Sequence, residues 1–503
     1  MTEKTRIIVI GAGIGGLTAG ALLANRGFEV LILDQAIVPG GCASTFKRKG
    51  FTFDVGATQV AGLEKGGIHQ RIFQELNLKL PEATFCDPAC AVFLPGETTP
   101  INVWRDPERW QQERERQFPK SKPFWNLLKQ LFEVSWRFQS RDPILPPRNL
   151  WDLQQLLTAI RPETLITLPF TLMTVGDALK LYRLDEDRRL KTFLDLQLKL
   201  YSQVNADQTA LLYAATALAV SQAPQGLYHL QGSMQVLSDR LVEGLEKAGG
   251  CLKMRHTVLK IHTAKGKVTG VTIYNQKTGI TSQETATHII ANVTVQNLIK
   301  LIEIDPKPSF KLYQQRIKNI PQPSGAFVIY LGVEQQAIPE NCPPHLQFLC
   351  DYHQPLGENN SLFVSVSKPG DGRAPEGKAT IIASSFTEVN QWWEGTLEDY
   401  QQRKQQYTQT ALEHLSNYFN LTDQTIIHQE TATPRTFAHF TARDRGIVGG
   451  IGQRISTFGP FGVATRTPIK NLWLVGDSTH PGEGTAGVSY SASTVVNQIV
   501  NCH

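Results

Sequence analysis

The chain reads as an α/β protein: a Rossmann-type dinucleotide-binding domain assembled from discontinuous pieces, with a second, substrate domain of mixed sheet and helices. Three stretches predict it. One is "RIIVIGAGIGGLTAGALLANRGFEVLILDQ" at residues 6–35, one is "NLWLVGDSTHPGEGTAGVSYSASTVVNQIV" at residues 471–500, and one is the strand-rich run that starts at Gly249 between them.

In the first stretch Ile7, Ile8, Val9 and Ile10 form a short apolar run, Gly11, Gly13 and Gly16 follow at G-x-G-x-x-G spacing, and an apolar run of helical period leads to Gly27. Strand, tight turn and helix follow in that order. Gly11 serves the turn, Gly13 lets the backbone approach a pyrophosphate, and Gly16 lets helix and strand pack, so that the anion caps the helix start. Gly11, Ala12, Gly13, Ile14, Gly15 and Gly16 are therefore expected around the phosphates. A second strand, Glu29 to Leu33, ends at Asp34, eighteen residues past Gly16, where a carboxylate can accept from both ribose hydroxyls, with Gln35 beside it. The triplet alone is a weak signal in a chain with 40 glycines; the strand, helix and acid around it turn it into a dinucleotide site. It does not distinguish a nicotinamide from a flavin.

Residues 107–160 and 183–220 are rich in Gln, Arg, Trp and Leu and read as helices, with "LYAATALAVSQA" as a buried one. Between them "TLITLPFTLMTV", Thr164 to Val175, is apolar but too short to span a bilayer and is interrupted by Pro169. It fits an interfacial segment or a pocket wall, with Trp125, Trp136 and Trp151 nearby, and equally the core of a helical cap. From Gly249 apolar and polar residues alternate, with turns at Lys265-Gly266 and Thr278-Gly279, as in a meander that ends in the buried run Ile289, Ile290. A second strand-rich block, Ser324 to Phe386, offers "GAFVIYLGV" and "TIIASSF" as a pocket floor, and a helix is expected around Tyr400 to Phe419.

In the last stretch Leu472 to Val475 form a buried strand, Gly476 and Asp477 stand at its carboxyl end, and Pro481 to Gly487 lead into a helix of small residues. A strand end followed by a helix start is where an α/β sheet binds its ligand. Asp477 can accept from a ligand hydroxyl, and the amides after Gly484, through Gly487 and Val488, can face the polar edge of a ring.

Composition narrows the classes. A chain of 503 residues, 41% hydrophobic and 19% charged, can bury the cores of two or more domains, which excludes disorder. The net charge is +5 with Lys and Arg scattered, so there is no electrostatic footprint for nucleic acid, while weak attraction to an anionic membrane surface is compatible. Seven cysteines, Cys42, Cys86, Cys90, Cys251, Cys342, Cys350 and Cys502, lack zinc-ligand spacing, and no signal peptide is read at the start, so a reducing, cytoplasmic setting without a metal site is expected. No run reaches the ~18 apolar residues of a membrane span.

"GAGIGGLTAGALLANRGFEVLILDQ", "VPGGCASTFKRKGFTFDVGA" and "LVGDSTHPGEGTAGVSYSA", in that order, resemble the flavin-dependent amine oxidase and phytoene desaturase superfamily. "GLYHLQGSMQVLSDRLVEGLEKAGG" resembles the segment before its adenine-side strand. The resemblance covers nearly the whole chain and implies an amine-oxidase-like fold with FAD as cofactor. It adds Gly40 and Gly41 as the family's glycine doublet, Gly56 and Ala57 in its "FDxG" turn, and Val258 where the family contacts the adenine through the backbone. The ribose acid departs from the pattern, being Asp34 where Glu is commoner. Within the superfamily "GGCASTFKRKGFTFDVGATQVAGLEKGGIHQRIFQEL" and "CDPACAVFLPGE" look most like cyanobacterial desaturases that act at carbons 3' and 4' of the acyclic end of monocyclic carotenoids, in myxol-type xanthophyll formation. Carotenoid isomerases share the scaffold and are the rival reading. The resemblance thus implies a carotenoid substrate, oxygen or a quinone as electron acceptor, and a protein peripheral to a membrane.

Desaturation beside a polyene asks the protein for an apolar tunnel, orientation and exclusion of water, because the cofactor carries the redox step. No G-x-S-x-G or H-E-x-x-H motif competes with this reading. A proton acceptor is harder to place. "HFTARDRGIVGG" supplies His439, Arg443 and Asp444, a run whose ordinary use is surface ion pairs, and Glu483 lies in the last glycine loop. A carotenoid or flavin carrier and an amine oxidase are the readings from other classes; the first would hold pigment without turnover, and the second would need a smaller, more polar pocket. The expected division is 1–60, 220–300 and 430–503 for the FAD domain, 61–219 for a helical, membrane-facing insertion, and 301–429 for the substrate-domain sheet.

Overall fold

The computed structural model describes residues 5–302 and 308–501; Cys502 lies outside the described residues. Its first layer is a five-stranded parallel sheet in the order Leu472–Leu474, His288–Ala291, Arg6–Ile10, Glu29–Asp34, Cys251–Met254. Val9 pairs with Ile290 on one side and Ile32 on the other. Ile7, Ile8 and Val9 have no exposed surface, which is why the central strand is an unbroken β-branched run rather than an alternating one. Helix Ile14–Asn25 is buried from Ile14 through Ala24, between this sheet and the helices Gln235–Lys247 and Thr485–Val500.

The expected meander is divided between two sheets. Only His256–Ala264, Lys267–Asn275 and Thr281–Thr285 form the antiparallel meander, turning where the glycines predict. Cys251–Met254 and His288–Ala291 join the parallel sheet instead. The alternation marks strands with one wet face, whereas His288–Ala291 is buried throughout and needs cover on both faces.

A seven-stranded mixed sheet forms the second layer, in the order Ile426–Ala432, Gly325–Glu334, Lys378–Thr387, Ser361–Val366, His345–Leu349, Cys90–Phe93, Ile101–Val103. Two expectations are corrected here. The stretch 61–219 is not wholly helical, since Cys90–Phe93 pairs in parallel with His345–Leu349, and Ala83–Phe85 pairs with Tyr228–Leu230. Strands of three or four residues are too short for periodicity to reveal them. The boundary at 429/430 also falls inside a strand, because Ile426–Ala432 pairs as one piece with Gly325–Glu334.

The helices Pro107–Gln117, Lys122–Gln139, Arg188–Ser202 and Leu211–Ala219 pack over this sheet's far end, whereas Leu150–Ala159 is tied to the last helix by Asp152, which accepts from Gln498 Nε2 at 3.0 Å. Asp106 starts the first by accepting from the Arg109 amide at 2.8 Å, with Pro107 in the position where a missing N–H costs nothing. "TLITLPFTLMTV" is not helix core: Pro162–Phe170 is a 3-10 helix with Leu165, Ile166 and Leu168 exposed, while Thr164, Leu165, Thr167 and Leu168 also line the central cavity. Of the tryptophans expected beside it, Trp125 is buried and donates to Ser121 Oγ at 2.9 Å, Trp136 lines the cavity, and Trp151 is half-buried. Among the described residues no helix is long and apolar enough to cross a membrane.

Candidate active site

A cavity of about 1180 Å³ opens at the carboxyl ends of the parallel strands, bounded by Gly11, Asp34, Asn292 and Gly476, and is closed by Ala326, Val328 and Ile382 of the mixed sheet. Single-ligand pockets span roughly 300–1,000 Å³, so there is room for a cofactor and a second ligand. The glycine turn forms one end. Gly11 has φ +99°, and a Cβ on it would lie 2.5 Å from Asn292 O. Gly13 is the N-cap of helix Ile14–Asn25 and provides no side-chain cap, which leaves the first amides of the helix for an anion. A Cβ on Gly16 would meet Gly11 O at 2.0 Å.

Asp34 lines the cavity with Gln35. Its Oδ2 accepts from the Ala12 amide at 2.6 Å and its Oδ1 from the Ala36 amide at 2.7 Å, so the shorter acid is drawn onto the turn itself. Burial raises its pKa from the ordinary value, and the two amide bonds oppose that rise. Gly40 donates its amide to Ala12 O at 2.8 Å, which sets the doublet against the glycine turn. Gly41, Gly56 and Ala57 continue the wall, and Val258, opposite Ile273 on the meander, closes it beside Asp34 and Gln35. Ala12 and Gly16 stand behind the wall instead of in it: Ala12 braces Asp34, and Gly16 packs on the turn.

At the other end Gly476, Asp477, Gly484, Gly487 and Val488 all line the cavity, and Gly484 starts helix Thr485–Val500 without a side-chain cap. The charge-rich loop divides. Arg443 faces inward, pairing with Asp477 at 2.8 Å and donating to Ile447 O at 2.7 Å and to Gly449 O. Asp444 turns outward to pair with Lys300, and His439 is exposed, so neither reaches the cavity. The reason is local: Ala442 adopts φ +55° after helix Pro434–Thr441, which swings successive side chains to opposite sides.

Glu483 lines the cavity, its Oε2 accepting from Gln203 Nε2 at 3.0 Å and from the Gly450 amide at 3.3 Å. Burial pushes its pKa up to about 8. His480, three residues earlier, is held neutral by burial, with a pKa near 4. Sequence reasoning missed Asn292, whose side-chain amide lies under Gly11, Gly13 and Gly15, within 3.3 Å of the Gly13 and Gly16 amides, as well as Gln203 and His480. Asn292 follows the buried run Ile289–Ala291, so placing that run beside Arg6–Ile10 would have found it.

A dinucleotide cradle at one end of a large, mostly apolar cavity defines a nucleotide-cofactor oxidoreductase. Residues 14–500 match the family described as flavin containing amine oxidoreductase, and the chain belongs to that family. It is a flavin oxidoreductase, and its cofactor is FAD. The residues fit that group: glycines stand wherever a Cβ would intrude on the cradle, two helix starts lack caps, and an acid closes the ribose end.

Among curated relatives, a chloroplastic prolycopene isomerase of an Oncidium hybrid cultivar is 27% identical over 99% of this chain and 84% of its own length. A zeta-carotene-forming phytoene desaturase of Myxococcus xanthus is 23% identical over 99% of this chain and 94% of its own. Among solved structures, an oxidoreductase from Methanosarcina mazei superposes with a TM-score of 0.64 at 17% identity, covering 98% of this chain and all of the other, at 100%. Putrescine oxidase with bound putrescine gives 0.64 at 14% identity and 99% coverage of both chains. These structural likenesses concern the fold.

Proposed function

We propose that the chain is an FAD-dependent carotenoid desaturase that introduces the C-3',4' double bond at the acyclic end of a monocyclic carotenoid. The cavity carries this reading: from the cofactor cradle it continues between Trp136, Leu156, Leu165, Leu212 and Phe458, walls suited to a hydrocarbon. The phytoene desaturase among the relatives supports it. In this reading the amides of Ile14 and Gly15 at the start of helix Ile14–Asn25 hold the pyrophosphate, Asp34 the ribose, Val258 the adenine, Asp477 the ribityl chain, and the amides of Gly484 to Gly487 the ring's polar edge. FAD, when bound, accepts two electrons from carbon and passes them to oxygen or a quinone. The apolar wall orients the chain of double bonds and excludes water.

Isomerisation is the second reading, carried by the 27% identity to prolycopene isomerases. Expression in carotenoid-making bacteria supplied with monocyclic and acyclic pigments separates the two. A product lighter by two hydrogen atoms, absorbing at longer wavelength, is expected. Unchanged mass with altered retention and cis-band intensity would make the enzyme an isomerase, and pigment recovered unaltered on the protein would make it a carrier.

The substrate's insolubility in water suggests a membrane source. Leu150, Leu153 and Leu157 lie on one face of helix Leu150–Ala159, and Ile166, Leu168 and Leu172 follow, all exposed. Burying one such side chain contributes ~1.5–3 kcal/mol. Ile166→Glu with Leu172→Glu, positions outside the cavity lining, is expected to weaken co-sedimentation of the holoenzyme with lipid vesicles by at least about tenfold. Equal sedimentation would remove this face as the membrane contact.

A further inference from the structure

We infer that Glu483 is the proton acceptor of the cavity, held for that task by Gln203, an assignment that rests on the desaturase reading above. Forming a carbon–carbon double bond by loss of two hydrogens sends two electrons and one hydrogen to the cofactor. The other hydrogen leaves the neighbouring carbon as a proton, and the electron pair of its C–H bond becomes the new π bond. The protein must supply the base, and the proton ends on a carboxylate oxygen of Glu483.

Only one of its two oxygens is tied down. Oε2 takes the bonds from Gln203 Nε2 and the Gly450 amide, while Oε1 is buried without a hydrogen-bond partner. An unpaired carboxylate oxygen out of water is costly, and such groups concentrate where chemistry uses them. Two backbone features converge on it. Gln203 sits at φ +66°, a left-handed conformation uncommon for a residue with a side chain, at the end of helix Arg188–Ser202. Gly449, at φ +65°, leaves the space in which the pair meets; a Cβ there would lie 2.2 Å from Glu483 Oε2 and 2.3 Å from Gln203 Nε2.

Of the other cavity carboxyls, Asp477 is paired with Arg443 and both oxygens of Asp34 are on amides. Glu64 also has an oxygen, Oε2, without a partner, but it is only half-buried and, among the described residues, no side chain holds it in place as Gln203 holds Glu483. The charged and titratable groups facing Glu483 are Asp477 and Arg443 from the flanking loops, Tyr213 from helix Leu211–Ala219 and Lys199 from helix Arg188–Ser202. Burial dominates and Asp477 adds to it, against Gln203, the Gly450 amide and Arg443, which places the group near pH 8.

A base works deprotonated, so desaturation by the holoenzyme is expected to rise with pH through about 8. Glu483→Gln is expected to retain FAD at the wild-type ratio and to lose about 100-fold or more in turnover. Infrared titration of the holoenzyme gives a readout independent of turnover: a protonated-carboxyl band lost near pH 8 in the wild type and missing from Glu483→Gln. Gln203→Met removes one stabilising bond to the charged form and is expected to move the band and the pH–rate limb upward together by about one unit. Should Glu483→Gln fail to fold, an unmoved limb in Gln203→Met would overturn the assignment. It is also overturned if Glu483→Gln desaturates like the wild type with FAD bound, or if the band persists in that variant. A wild type whose product has unchanged mass would instead bring down the desaturase reading, and the inference with it.

Discussion

A Gly16→Val variant is expected to be purified without FAD and to unfold about 3 kcal/mol more easily than the wild type. The new Cβ would lie 2.0 Å from Gly11 O and 3.0 Å from Asn292 Cβ, and the obstacle is backbone. The turn cannot back away, because the Gly11 amide donates to Leu33 O at 2.8 Å and Ala12 O accepts from the Gly40 amide at 2.8 Å. Relief comes only by moving the helix start, which carries the amides meant for the pyrophosphate. The flavin-to-protein absorbance ratio and urea unfolding check this together; stoichiometric FAD in the variant would mean that the glycine turn is not the phosphate seat.

Arg373→Met is expected to destabilise the protein by ~3–5 kcal/mol, the usual cost of breaking a buried ion pair from one side. The Arg373 side chain is 3% exposed, with Asp54 at 1% and Asp371 at 4%. Its guanidinium donates to Asp54 Oδ2 at 3.0 and 3.1 Å and to Leu230 O at 2.8 Å, and His229 Nε2 lies 2.8 Å from Asp371 Oδ2. Asp54 also accepts from the Met234 amide at 2.8 Å. The cluster thus ties strand Phe51–Asp54 and the start of helix Gln235–Lys247 to the loop after strand Ser361–Val366.

Its pH dependence follows from opposite shifts. Asp54 is raised by burial despite Arg373, so its contribution is largest in acid and fades as pH rises through its folded pKa. Asp371 is held below the ordinary value because the bonds from His229 and Arg373 outweigh burial, so its contribution is lost in acid. Without the guanidinium both carboxyls lose their cationic partner and keep only the bonds from Met234, His229 and nearby amides, so the deficit of Arg373→Met should be larger at pH 8 than at pH 5, where protonation relieves them. Denaturant midpoints at the two pH values test this; a deficit independent of pH would show that lost packing dominates.

The parts of this molecule legible in the sequence are those whose physics is local. The glycine turn, Asp34 at the end of the second strand, and the loop before the last helix declare themselves within some thirty residues. What stayed hidden depends on distant partners. Gln203 meets Glu483 across 280 positions, and Arg373 meets Asp54 across 319. Arg443 looked like part of a solvated run because composition cannot show that φ +55° at Ala442 turns it toward Asp477 while Asp444 goes to Lys300. Cys90–Phe93 is edge-like in length and recognisable only beside His345–Leu349.

Helix Ile14–Asn25, apolar nearly all round, finds its cover in Thr485–Val500, and the parallel sheet takes its last strand from Leu472–Leu474. During synthesis at ~5–20 residues per second, some 470 residues separate the two helices, a wait on the order of half a minute to a minute and a half. For that time the emerging chain carries a greasy segment that Gln235–Lys247 can cover on one side only. The cofactor cradle is thus complete only once Thr485–Val500 has been made, so capture of FAD follows the synthesis of that helix instead of guiding the first one.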